Sequence, residues 1–157
     1  MYAQLYIHSF RLLQPHTLVE AEKFNITNSD PTQLISTADK LRYYRYERAL
    51  LQRDVADYAG IDRSTYSSYE ENCRDHYPLD KLSIIAELLE VPLLELLDEY
   101  NRFLYNGQGW QIRALRESMG LSRSEFAASY GVDSSTVRKW EQDKVVIFKS
   151  TWEKLFK

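Results

Sequence analysis

The sequence predicts an all-α fold built from two tandem units that follow a short N-terminal leader. Residues 52–71 recur 71 positions later as residues 123–142, with the same small, glycine and apolar positions. Around both copies, apolar residues recur at intervals of three and four, which is the period of a helix. We assign residues 1–30 to the leader, residues 31–105 to the first unit and residues 106–157 to a shortened second unit.

The leader contains one candidate strand and one candidate helix. Residues 1–10 alternate apolar and polar side chains, which is typical of a half-buried strand, with part of a helix as the alternative. After Pro15, a short helix would turn Leu18, Val19 and Phe24 inward. The polar residues 25–30 predict a connector. We expect the leader to pack on the first unit or on a partner.

The first unit is predicted to have five helices. Asp30 and Pro31 form an N-cap and a favourable first helical position, so a first helix should run from there to about Ala49. The two helices of the repeat follow, and a fourth helix begins at Pro78. The apolar residues 93–104 predict a fifth helix.

The second unit begins after a glycine hinge at residues 106–109 and departs from the first unit's pattern after Lys144. There the sequence VVIF predicts extended chain, and Ser150 with Glu153 has the spacing of a capping box for a last short helix. No further helix is predicted after it. We therefore expect this small unit to depend on the first unit or on another chain for stability.

Each copy of the repeat has the residues that two short helices need to meet at a tight turn. Ala56 and Ala127 are small where the two helices come closest. Gly60 and Gly131 follow four residues later, where a turn commonly needs a positive φ. The repeat therefore predicts the same pair of helices twice.

The second helix of each copy is predicted to have one buried face and one free face. An aspartate, Asp62 or Asp133, precedes it as a candidate N-cap. The apolar residues spaced three apart, which share the buried face, are Tyr66 with Tyr69 and Val137 with Trp140. The free faces carry Arg63, Ser64, Ser67 and Ser68 in the first copy and Ser134, Ser135, Arg138 and Lys139 in the second.

At these residues the chain resembles the helix-turn-helix proteins of the phage Cro and repressor type, the XRE family. The resemblance covers both repeats and implies that the second helix of each, the recognition helix, enters the major groove of DNA with its free face. It also implies that Gln52 and Arg123 touch phosphate or bases. In addition it implies one ion pair per unit between the first helix and the recognition helix: Arg45 with Glu70, and Arg116 with Glu141.

The net charge of −3 is unevenly divided along the chain. Residues 31–105 hold nine basic and fourteen acidic side chains, whereas residues 106–157 hold nine basic and six acidic ones. Because phosphate contacts supply most non-specific affinity for DNA, the second unit is expected to bind DNA more strongly than the first.

The function predicted from these features is a sequence-specific double-stranded DNA-binding transcriptional regulator, a repressor from a bacterium, phage or mobile element. A homodimer is expected because one recognition helix reads few base pairs, with the fifth helix and the leader as candidate interfaces. The alternative to a homodimer is a single chain whose two helix-turn-helix units bind neighbouring half-sites. The alternative function is a protein-interaction module or phage-type inhibitor whose acidic first unit binds a protein partner.

Other chemistry is not indicated by the sequence. Cys73 and His76 have half of a metal-ligand spacing, but there is no second cysteine, so neither a zinc site nor an internal disulfide is expected. We expect no enzyme activity and no cofactor, because the serines are explained by helix caps and a polar recognition face. No apolar run approaches membrane-spanning length, so a cytoplasmic location is expected.

Overall fold

A computed structural model describes residues 15–157, and every regular element in this range is a helix. The candidate strand at residues 1–10 lies outside the described residues. The prediction of an all-α chain with two tandem units is confirmed. The helices are α1 (Pro15–Thr27), α2 (Thr37–Glu47), α3 (Gln52–Ala59), α4 (Arg63–Glu70), α5 (Leu79–Leu88), α6 (Leu93–Leu96), α7 (Glu99–Tyr105), α8 (Gln108–Ser118), α9 (Arg123–Ser129), α10 (Ser134–Glu141) and α11 (Lys149–Phe156).

The leader helix predicted after Pro15 is present as α1. Phe24 is partly buried, as predicted, and its ring meets that of Tyr46 edge to face at 5.8 Å. The prediction for Val19 is wrong, because this side chain is 47% exposed. The Leu18 side chain lies outside the described part of the structure. The helix also continues into the predicted connector, where the Asn28 side chain donates to the Phe24 carbonyl and closes its last turn.

The start of the first unit differs from the prediction of one helix from residue 30. Asp30 caps a single 3-10 turn at Pro31–Gln33 instead. Leu34 is then extended, with φ −73° and ψ 119°, which ends that turn. α2 begins three residues later, where the Ser36 hydroxyl accepts a hydrogen bond from the Asp39 amide at 3.0 Å.

The predicted helix at residues 93–104 is two helices. α6 ends because Leu97 is extended, with φ −77° and ψ 135°. Asp98 then begins α7, and its carboxylate accepts from the Asn101 amide at 2.7 Å. The first unit keeps its predicted five helices, α2 to α6, of which the fifth is a single turn.

The described residues form two hydrophobic cores, one in each unit. The first core contains residues from α2 to α6 together with Tyr77, which lies in the loop after α4. The second core contains residues from α8 to α11 and also Tyr100 and Phe103 of α7. The Tyr100 hydroxyl donates to the Ile147 carbonyl, so α7 is bonded to the last part of the chain.

The expectation that the second unit lacks a fifth helix needs correction, because α7 supplies one from the N-terminal side. Tyr100 and Phe103 pack against Trp152 of α11, with ring centroids 5.5 and 6.0 Å apart. The predicted domain boundary between residues 105 and 106 stays a prediction. The packing of α7 is an argument for placing that boundary near Leu97.

Residues 144–148 form no helix or strand, and Ile147 among them is completely buried; the predicted extended backbone is present at Phe148, with φ −66° and ψ 144°. The predicted capping box of Ser150 and Glu153 is absent. α11 begins at Lys149 with Phe148 in the N-cap position, so Ser150 already lies within the helix.

Left-handed backbone recurs with the same spacing of 71 residues as the sequence repeat. The pairs of residues with positive φ are Ala49 (51°) with Gly120 (68°), Gly60 (62°) with Gly131 (65°), and Asn72 (55°) with Asp143 (54°). The two glycine turns between the paired helices are as predicted. The first pair differs in chemistry, because the first unit places an alanine where the second has a glycine.

We expect Gly120→Ala to destabilise the protein by about 1 kcal/mol, since a Cβ is strained at positive φ. A Cβ at Gly120 would meet no atom within 4 Å, so the cost is in the backbone alone. Ala49→Gly is the matched change in the first unit and should not destabilise, because it relieves the same strain. Urea unfolding of both variants tests this, and destabilisation by both would contradict it.

Candidate nucleic-acid interface

The two recognition helices, α4 and α10, each bury one face in the core of their own unit. Tyr66 and Tyr69 of α4 are 0% and 1% exposed, and Val137 and Trp140 of α10 are 0% and 3% exposed. These four residues lie where the sequence predicted the buried face. Each recognition helix therefore presents its opposite face outward.

The predicted N-caps, Asp62 and Asp133, occupy the N-cap positions of α4 and α10 with extended backbone. Neither carboxylate makes the predicted capping hydrogen bond. Both side chains are exposed at the helix N-terminus, where a negative charge interacts favourably with the helix dipole. The two aspartates therefore stand at the predicted N-cap positions but do not cap the helices with a side-chain hydrogen bond.

The free face of α10 is open. Ser134, Ser135, Arg138 and Lys139 are all exposed. Within the part of the chain that the structure describes, none of these four side chains has a hydrogen bond or an ion pair. Their donors are available for phosphates or base edges.

The free face of α4 is partly engaged within the protein. Arg63 and Ser64 are exposed, whereas Ser67 and Ser68 are half-buried. The Ser67 hydroxyl donates to Glu71 Oε1 at 2.7 Å. The Ser68 hydroxyl donates to a backbone carbonyl one turn earlier, at 2.6 Å.

The surroundings of the α4 face also differ in charge from those of α10. Glu71 lies at the end of α4, at the position that Gln142 occupies after α10. Arg74 Nε donates to the Ser68 hydroxyl at 3.1 Å. The first face thus has a carboxylate where the second has a neutral amide, and the second face is better suited to a phosphate backbone.

In the first unit, a buried ion pair joins α2 to the recognition helix. Arg45 Nε lies 2.6 Å from Glu70 Oε1, and Arg45 Nη2 donates to Glu70 Oε2 at 2.7 Å. Both side chains are almost completely buried. Arg45 Nη1 donates to the Leu50 carbonyl at 2.9 Å, and Gln52 Nε2 donates to Glu70 Oε2 at 3.0 Å. One carboxylate therefore holds α2, the start of α3 and the end of α4 together.

The second unit repeats this arrangement, but Arg116 bonds Glu141 through Nε only and turns its Nη2 to Glu117 Oε1 at 3.3 Å. Arg116 Nε lies 2.6 Å from Glu141 Oε1, and Arg116 Nη1 donates to the Leu121 carbonyl at 2.9 Å. The second carboxylate oxygen accepts from Arg123 Nε at 2.7 Å. Arg113 Nε lies 3.8 Å from the same oxygen, a contact that sequence reasoning missed. Arg113 is one turn before Arg116 on α8, and this helical spacing was the available signal.

Gln52 and Arg123, the residues expected to touch DNA at the start of the motif, are thus both bonded to the buried glutamate. Their contact with DNA stays a prediction. The Arg123 side chain is 46% exposed, so it can hold Glu141 with one nitrogen and still present others outward.

The charges of this cluster affect its protonation. Burial by itself would raise the pKa of Glu141, but the hydrogen bonds and positive charges of Arg116 and Arg123 outweigh it and lower the pKa. The hydrogen bond to Glu141 also raises the pKa of Arg116. Both shifts favour the ionised pair.

The comparisons with known proteins agree with this geometry. The helix-turn-helix family model matches residues 41–96 and 112–155, which together make up more than half of the chain. The chain therefore belongs to the helix-turn-helix family of the XRE type, which are DNA-binding transcription regulators and not a class of enzymes.

Among curated proteins, the chain is similar to two transcriptional regulators of the genus Bacillus. It is 29% identical over 92 residues to the HTH-type transcriptional regulator SinR of Bacillus subtilis, covering 55% of this chain and 82% of the relative. It is 28% identical over 92 residues to the SinR of Bacillus licheniformis, with the same coverage. No solved structure gives a significant match.

Within residues 15–157, neither a membrane-spanning helix nor a metal-binding cluster is present. No helix in this range is long and apolar enough to cross a membrane. No group of three or more histidine, cysteine, aspartate or glutamate side chains in this range is arranged to hold a metal ion. Cys73, one half of the candidate metal-ligand spacing, is an exposed free thiol.

We expect Glu141→Ala to destabilise the second unit by about 3–5 kcal/mol, because it removes the buried partner of Arg116 and leaves only the exposed Glu117 beside it. The neighbouring Gln142 is exposed, so Gln142→Ala is the matched control and should change stability by less than about 0.5 kcal/mol. Thermal unfolding followed by circular dichroism measures both. Equal melting temperatures for the two variants would contradict the structural role of this pair.

The lowered pKa of Glu141 predicts a decrease in stability in acid. Because the folded pKa lies below the unfolded one, the stabilisation is complete above the unfolded value of about 4.3 and disappears as the pH falls through the folded value. Urea unfolding between pH 7 and pH 2 should show a smaller pH dependence for Glu141→Gln than for the unaltered protein. Glu87→Gln, at an exposed position, serves as control. An unchanged pH dependence in Glu141→Gln would contradict the prediction.

Proposed function

We propose that this protein is a sequence-specific double-stranded DNA-binding regulator that represses transcription by occupying its site. The observation that carries the proposal is the free face of α10. It presents two serines, Arg138 and Lys139 outward without partners in the described chain, on a helix fixed by its buried face. Because repression by occupancy needs only binding, no further domain is required for it.

The second unit is proposed as the principal DNA reader. An arginine can give two hydrogen bonds to guanine, and each such pair discriminates between bases by about 1–3 kcal/mol. Arg138 and Lys139 provide two cations without partners among the described residues on this face, whereas on the first face Arg74 is bonded to Ser68 and two serines are already engaged by the protein. The net charges of the two units point in the same direction.

A bacterial, phage or mobile-element source and a cytoplasmic location remain part of the proposal, supported by similarity to two Bacillus regulators. A homodimer is also proposed, since symmetric half-sites are the usual way to lengthen a recognition sequence. The predicted dimer interface on the fifth helix needs revision, because Tyr100 and Phe103 are buried within the chain's own second core. The exposed Leu94 and Tyr105 remain available on these helices.

The alternative function, a protein-interaction module that uses the acidic first unit, is supported by the engaged hydroxyls and by Glu71 at the end of α4. A gel-shift assay against the DNA upstream of the protein's own gene separates the two proposals. A retarded, sequence-dependent complex supports the regulator. Light scattering of that complex distinguishes a homodimer from a single chain that binds with both of its helix-turn-helix units.

We expect the double change Arg138→Ala and Lys139→Ala to weaken DNA binding and to flatten its salt dependence. The slope of log affinity against log salt concentration should become shallower by about one unit for each phosphate that the two side chains no longer neutralise. Arg63→Ala is the matched change in the first unit and should have a smaller effect. Fluorescence anisotropy at several salt concentrations measures both quantities. If Arg63→Ala had the larger effect, the first unit would be the reader.

A further inference from the structure

The leader helix α1 is attached to one side of α2 in the first unit. The Phe24 ring lies edge to face with Tyr46, and the Arg42 guanidinium lies over Phe24 at 5.3 Å from the ring centroid. Asn25 Nδ2 donates to Glu47 Oε1 at 2.8 Å. These three contacts hold α1 beside the helix that carries the buried arginine of the ion pair.

This position brings an acidic residue of α1 to the DNA-facing end of the first unit. Glu20 lines a groove of about 420 Å³ together with Gln52, Arg53 and Arg63. These three residues are at the starts of α3 and α4, where backbone N–H groups and basic side chains suit a phosphate. A carboxylate in the same groove repels a phosphate and competes for the same donors.

A second groove shows that α1 also covers the side of the ion-pair cluster. Its lining includes Glu20, Lys23 and Phe24 of α1 and Arg42, Gln52 and Glu70 of the first unit. Arg42 connects the two sides, because its Nη2 donates to the Glu70 carbonyl at 2.6 Å while its guanidinium lies over Phe24. Through Arg42, α1 is thus connected to the end of the recognition helix.

The second unit leaves the corresponding surface open. The residues 71 positions after Arg42 and Gln52 are Arg113 and Arg123, and their side chains are 48% and 46% exposed. Both Arg42 and Gln52 are less exposed than this, in the intermediate range. The difference has a topological cause, because the helix that precedes α8 is α7, and α7 packs into the second core instead of over this surface.

From this contrast we propose that α1 is an acidic lid that excludes DNA from the first unit. The free protein then engages DNA through its second unit, and release of α1 takes Glu20 out of the groove lined by Gln52, Arg53 and Arg63, which becomes a second DNA-contacting surface. The lid rests on the proposed DNA-binding function. It concerns the first unit only, so it can fail while that function stands.

The test uses the full chain and a random-sequence DNA duplex of about 30 base pairs, because phosphate binding needs no known operator. Phe24→Ala with Asn25→Ala removes the three contacts of α1 described above, and Val19→Ala, at an exposed position on the same helix, is the matched control. Hydrogen exchange of the α1 amides establishes whether the helix has been released.

We expect the Phe24→Ala, Asn25→Ala variant, in which α1 is released, to bind the duplex about tenfold more tightly at low salt. Its log affinity should fall with log salt concentration more steeply by about two units, because two or three more phosphates are neutralised. The Val19→Ala control should behave as the unaltered protein. Adding Arg63→Ala to the released variant should cancel much of the gain.

Unchanged affinity and slope in a variant whose α1 amides exchange freely would overturn the lid. If Arg138→Ala with Lys139→Ala abolished binding in that same case, the proposed DNA-binding function would stand without the lid. If no variant bound DNA at all, both proposals would be overturned.

Discussion

The buried carboxylate at the end of each recognition helix is the interaction on which the rest of each unit depends. Glu70 and Glu141 each accept hydrogen bonds from an arginine on the unit's first helix and from the residue that opens the next helix. Because a charge in the interior is tolerated only when it is paired and hydrogen-bonded, the three helices must keep one mutual arrangement. That arrangement sets the direction of the recognition helix.

The two units share this internal arrangement but differ in the surface around their recognition helices. In the second unit, the partner of the carboxylate at the start of the motif is Arg123, which is exposed and charged, whereas the first unit has the neutral Gln52. The first recognition face bonds its own hydroxyls and ends at Glu71, and α1 covers its flank. The two copies of the repeat therefore share their internal contacts and differ in their outer ones.

The helix α7 makes the two units parts of one structure. Its start is tied to α2, because the Asp98 amide donates to the Thr37 hydroxyl at 3.0 Å. Its middle belongs to the second core through Tyr100. A segment bonded to the first unit at one end and buried in the second cannot move with one unit alone. The relative position of the two recognition helices is therefore restrained by packing and not only by a linker.

Sequence alone determined the repeat, the glycine turns and the inward faces of the recognition helices, because these depend on local spacing and on backbone conformation. It did not determine where the apolar residues 93–104 divide. The break at Leu97 is held by a bond from the Lys40 ammonium to its carbonyl at 3.0 Å, across 57 positions of the chain. It likewise left open that α1 would cover the first unit, since helical periodicity says which residues share a face but not which surface that face meets. Where a helix breaks and which surface it packs on are decided by contacts between residues distant in sequence, and only the tertiary structure contains these contacts.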